Sequence, residues 1–217
     1  MTEVDLSRAA ALRKVTAEGI EAVLLPAGFE SASKHAWLRR TPELHHVVAL
    51  LSRRGMYDIQ WGVVSPEAAP FLWGVEAKHG DVGAAIMSGT PGTIHHPPEC
   101  QSFRLGNTVS LDDVERIASG VATDLRRVEQ RLRVFSTRGD VRASLLLNRE
   151  LKDRRDFVVP ANLPLKLFTA ATLAVIDLDP GAGELVAEAE QAMVRYRDEL
   201  SVARLRRLRD ALQAQYG

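Results

Sequence analysis

GFESASKHAWLRRTPELHHVVALLSRRGMYDIQWGVV, residues 28–64, decides the fold. In it Tyr57, Ile59, Trp61 and Val63 alternate with Asp58, Gln60 and Gly62. Alternation with a period of two places one set of side chains on a buried sheet face. Thr41-Pro42-Glu43 and Arg53-Arg54-Gly55 are turn sequences, and glycine accepts the positive φ that a tight hairpin needs. Strands are therefore predicted near 33–40, 45–52 and 56–64. Connections this short join antiparallel neighbours, so the three form a meander.

Upstream, Leu6, Ala10, Val15, Ile20, Val23 and Leu24 recur at three- to four-residue steps. That spacing predicts a helix over 5–25, stopped by Pro26 and Gly28. Downstream, Ser65–Pro70 breaks the sheet, and Phe71–Lys78 reads as a further strand or an irregular cover. Residues 80–98 read as a long Gly- and Pro-rich loop with room for one helical turn, a kind of segment that is often functional. Cys100–Leu105 reads as extended. Ser110 then offers an N-cap with Asp113 at N3, and Val109 and Val114 occupy the staple positions. The stripe Val114, Ile117, Val121, Leu125, Val128, Leu132 carries that helix from 111 to about 134. Asp140 is expected to cap a second helix bearing Leu145, Leu147 and Leu151. Phe157–Pro160 reads as an extended link. Residues 164–176 are expected to form a third helix, apolar nearly all round and hence buried. A long last helix is predicted from Glu184 to about Gln213, with Leu205, Leu208 and Leu212 packing on the helical half or on a second copy of the chain. The expected fold is α+β: an antiparallel sheet of four to five strands with helices (residues 1–108), then a helical part packed on it (residues 109–217).

Composition bounds the function. The 28 basic residues balance the 28 acidic ones. No global field therefore draws the chain to nucleic acid or anionic lipid. Cys100 is the single cysteine, so no intramolecular disulfide forms, and a reducing cytoplasm is the expected compartment. The acidic N-terminal stretch does not read as a secretory signal. The apolar run from Leu165 to Ile176 is too short for a bilayer core of about 30 Å.

Several short motifs resemble those of a bacterial family, the domain of unknown function 4304 family. They are Leu25-Pro26-Ala27-Gly28-Phe29, Trp37-Leu38-Arg39-Arg40, His46-Val47-Val48-Ala49-Leu50, Ile59-Gln60-Trp61-Gly62-Val63 and Cys100-Gln101-Ser102-Phe103-Arg104-Leu105-Gly106. The resemblance covers residues 6–135. It implies an α+β fold and a bacterial origin, and it implies no chemistry.

The candidate chemistry is sparse. His45-His46 and His95-His96, with Glu99 and Cys100, offer metal donors. Neighbouring strand residues diverge, however, so His45 and His46 cannot both face one ion, and no HExxH or CxxC spacing is present. No metal and no cofactor are expected. His46, His95, His96, Cys100 and Arg104 are the candidates for an enzymatic site between the sheet and loop 80–98. The glycines at 80, 83, 89 and 92 match no phosphate-binding signature. For recognition, Trp73 is the best candidate for an exposed aromatic, and Arg39, Arg40, Arg53 and Arg54 cluster at strand ends. The arginines from Arg204 to Arg209 suit the carbonyl end of a helix better than a nucleic acid. The leading reading is a cytoplasmic protein that works by binding another macromolecule, most simply a protein, in an accessory or immunity-like role. An enzyme is the alternative, and nucleic-acid binding through the last helix a third.

Overall fold

The computed structural model describes residues 5–74, 76, 80, 82–91, 102–147, 163–196 and 199–216. Its central sheet has six strands. β2 (Glu30–Ser33), β3 (Ala36–Arg40), β4 (His45–Arg53) and β5 (Met56–Val64) form an antiparallel meander. The far side of β5 is shared by β6 (Met87–Gly89) and β7 (Ser102–Arg104). Arg54 and Gly55 both have positive φ, +51° and +81°, which closes the β4–β5 hairpin on two central residues. A separate two-stranded ribbon pairs β1 (Asp5–Ser7) with β8 (Thr108–Ser110). The apolar spacing of the sequence predicts helix from residue 5, whereas Asp5–Ser7 is paired as a strand.

The sheet register sorts the side chains. Trp37, Val48 and Trp61 share one row, and Arg39, His46, Val63 and Met87 the next. Both rows face the helices. The helical segment behind them runs as α1 (Arg8–Lys14), a π-helical stretch (Val15–Glu21) and α2 (Ala22–Leu24). It packs on α4 (Leu111–Leu132). Gly19 makes the approach close, since a Cβ there would sit 2.9 Å from the Ala118 carbonyl oxygen. The outer face is covered only in part. Leu38, Val47, Val64 and Ala84 form a small second cluster there, with Trp73 and Val82 against it. Ala69–Trp73, α3, is helical, where a strand or irregular cover was expected: Pro70 lies in its first turn and Gly74 ends it with φ +71°.

α4 has the expected cap. Ser110 Oγ accepts from Asp113 N at 3.2 Å and donates to Asp113 Oδ2 at 3.1 Å. Val114, Val121, Leu125, Val128 and Leu132 are buried. α5 (Arg138–Leu147) starts differently from the expectation. Thr137 Oγ1 accepts from Asp140 N at 3.2 Å, and Asp140 Oδ2 accepts from Thr137 N at 2.8 Å. Thr137 is thus the cap, and Asp140 is its partner in a reciprocal box. Leu151 and Phe157–Pro160 lie outside the described residues. α6 (Leu163–Ile176) is buried nearly all round, packed between α5 and α7.

The long last helix of the sequence reading is two helices, α7 (Ala182–Tyr196) and α8 (Glu199–Tyr216). They fold back on each other: Arg209 pairs with Glu190, and Gln213 lies beside Gly183. This return lets both Met193 and Leu205 reach the core, which one straight helix would have sent to different faces. Leu205 and Leu208 are buried within the chain itself. The hydrophobic core runs unbroken from Ala11 to Leu208 and so spans both parts of the chain. No helix among the described residues is long and apolar enough to cross a membrane.

Candidate functional site

The arginines fall into two environments. Arg39 points inward, because strand alternation puts it on the face of Trp37. It donates to Glu129 Oε1 at 2.8 Å, to the Ala27 carbonyl at 3.1 Å and to His46 Nδ1 at 3.0 Å. Its guanidinium also lies 4.8 Å from the Phe29 ring centroid. Since Nδ1 accepts, Nε2 of His46 carries the proton and donates to the Phe135 carbonyl at 2.7 Å. His46 is 1% exposed. Burial, reinforced by the Arg39 charge, pushes its pKa down to about 4 against the pull of the Phe135 hydrogen bond. Burial on its own would raise the Glu129 pKa, but hydrogen bonds and charge from Arg133 and Arg39 hold it below the usual range. His46 is therefore neutral and Glu129 ionised at neutral pH, each satisfied by its neighbours. This cluster joins β3, β4 and α4.

A second internal cation does the same elsewhere. Arg138 donates to Asp177 Oδ1 at 2.5 Å and to Glu67 Oε2 at 3.4 Å, while its backbone N–H donates to Glu43 Oε2 at 2.8 Å. It ties the β3–β4 turn and the start of α3 to α5 and the end of α6.

Of the residues proposed for recognition, Arg39 thus lies inside, and Arg40 is paired with Glu30. Trp73 is half-buried rather than exposed. Its Nε1 donates to the Ala84 carbonyl at 3.1 Å, and Arg204 lies over its ring at 5.8 Å. It forms a seam between the outer cover of the sheet and α8. Arg207 packs against Gly74, and Arg209 pairs with Glu190, so the arginines of α8 are largely engaged within the chain.

Arg53 and Arg54 differ. Arg53 is directly opposite Met56, and Met56 is directly opposite Arg104. Directly paired residues share a face, so Arg53, Met56 and Arg104 make one row across the outer surface. Two strand spacings separate the arginines, about 10 Å. Leu51, Asp58 and Ser102 form the adjacent row, and Leu51 is 45% exposed. Arg53, Arg54 and Arg104 are exposed and make no ion pair among the described residues. Arg8 stands at the rim: it donates to the Gly106 carbonyl at 3.1 Å, and its guanidinium borders Gly55. Arg104 is one of the sequence candidates for an enzymatic site; the register puts it in one row with Arg53, across Met56, a grouping legible only once β7 is known to pair with β5.

The candidates for metal and for catalysis do not converge among the described residues. No group of three His, Cys, Asp or Glu there could hold an ion. His95, His96, Glu99 and Cys100 lie outside the described residues. A cavity of about 300 Å³ opens between β5, β7 and α4, lined by Ile59, Ser102, Phe103, Arg116 and Asp124 among others. Neither His46 nor Arg104 lines it.

No family model matches the chain, and comparisons with curated proteins and with solved structures find no match.

Proposed function

We propose that this protein acts by binding another protein through the hairpin end of its sheet. The row Arg53–Met56–Arg104 beside exposed Leu51 carries the reading. Its cations make no ion pair among the described residues, in contrast to Arg39 and Arg138. Guanidinium groups bind carboxylates in two-pronged hydrogen bonds, and arginine is favoured at recognition surfaces. Met56 and Leu51 add an adaptable apolar centre. The partner this surface fits is an acidic protein segment with an apolar residue between its carboxylates. An accessory or immunity-like role is the form such an activity takes when contact alone is the function.

The test compares the untagged wild-type protein with the Arg53→Glu/Arg104→Glu variant in pull-downs from the native host, read by mass spectrometry. A partner held by the wild type, released by moderate salt and lost from the variant, supports the reading. A partner held equally by both, or nucleic acid recovered in place of protein, overturns it.

A further inference from the structure

A different part of the surface has the make-up of a small-molecule site. Where the first helical segment ends, it leaves a cavity of about 330 Å³ against α4. Small-molecule sites start at about this volume. We infer that this cavity binds a small organic carboxylate, through Arg126 and Arg133, with its hydrocarbon part against Val23 and Pro26.

One wall is apolar: Ala22, Val23, Pro26 and Ala27. The other carries Arg126 and Gln130 of α4 and Arg133 at its C-cap, spaced i, i+4 and i+7 and so on a single helix face. Glu129 also lines the cavity, but Arg39 at 2.8 Å and Arg133 at 2.5 Å already answer its charge. The guanidinium groups of Arg126 and Arg133 thus line the cavity with a single carboxylate whose charge Arg39 also answers from behind, an excess of positive charge at one opening. Arg126 makes no ion pair among the described residues. The carbonyl end of the neighbouring helical segment would by itself favour a cation. Arg39 offsets this by donating to the Ala27 carbonyl. A guanidinium offers a planar fork that matches a carboxylate, and the Gln130 amide adds a neutral donor. An ammonium ligand meets like charge here. A neutral ligand of the same shape forgoes the charge-assisted bonds, which are roughly twice as strong as neutral ones.

Benzoate is the probe, with benzamide and benzylamine as controls matched in size, titrated into the full chain and followed by two-dimensional amide NMR. Saturable shifts from benzoate, centred on residues 22–27 and 126–133 and not reproduced by either control, are expected. Arg126→Ala and Arg126→Gln, both at an exposed helix position, should weaken benzoate about tenfold, the loss expected for one charge-assisted pair. Arg206→Ala, on α8, should bind as the wild type does. The inference is overturned if benzoate does not saturate, if benzamide binds equally, if the shifts centre elsewhere, or if both Arg126 variants keep the wild-type affinity.

Discussion

Arg39 and Arg53 lie on neighbouring strands of one sheet, and the sequence presents them as members of one basic cluster. The register separates them. Arg39 shares its row with His46, Val63 and Met87 and points into the core. Arg53 shares its row with Met56 and Arg104 and points outward. One is held by a carboxylate, a ring, a histidine and a carbonyl. The other has no ion pair among the described residues. Strand parity, rather than residue type, decides whether an arginine serves the fold or the surface. The comparison separates stability from binding, and each can be tested without the other.

The largest effect should follow from Arg39→Met. It strips a buried carboxylate, Glu129, of one of its two cations and leaves His46 Nδ1 without its donor. Loss of one partner from a buried ionic cluster costs about 3–5 kcal/mol, measured by denaturant unfolding. Within error of the wild type is the result that would break the contrast.

The next effect is a dependence on pH. His46 has a folded pKa of about 4, below the ordinary value of 6.5. The unfolded chain therefore takes up a proton that the folded chain refuses. Stability is complete above about pH 6.5 and is lost as pH falls towards 4, by on the order of 3 kcal/mol. Glu129, whose folded pKa is also depressed, adds a further loss only as pH falls below its ordinary value and through its folded one. His46→Gln keeps an acceptor for Arg39 and a donor for the Phe135 carbonyl but cannot titrate. Its stability should vary less than that of the wild type between pH 6.5 and 4. An unchanged slope would remove His46 from the account.

Ser110→Ala should cost about 1 kcal/mol through the lost cap of α4. This sets a scale between the interior and the surface: Leu125, fully buried on the same helix, should cost about 2–5 kcal/mol when changed to Ala. Finding the cap more costly than the leucine would mean that α4 is held by its end rather than by its packing. The smallest stability effect belongs to Arg53→Met, within about 0.5 kcal/mol, as for surface positions that the fold does not use.

Much of this was legible in the sequence. Alternation in 57–63 and the turn residues at 41–43 and 53–55 dictated the meander, and local cap chemistry dictated α4. The inward aim of Arg39 could also have been read, because it stands two residues after Trp37 on one strand. Other features depend on contacts distant in the chain. The β1–β8 ribbon is three residues long and joins segments some hundred positions apart, too short to leave a periodic signal. Glu129 lies on the flank of the α4 stripe, and only the arrival of Arg39 from β3 makes its burial tolerable. The return of α8 along α7 had a local sign: the apolar run Met193, Tyr196, Leu200 is out of phase with that of Leu205, Leu208 and Leu212. The arginine row needed the pairing of β7 with β5, and the carboxylate cavity needed 22–27 laid against 126–133, and neither is encoded in a short window.

The most direct test of the central claim is to measure unfolding free energy and partner capture together for Arg53→Glu/Arg104→Glu. The account predicts stability within about 1 kcal/mol of the wild type, since both residues are exposed and make no ion pair among the described residues, with capture abolished. Full capture by a variant of wild-type stability would contradict it.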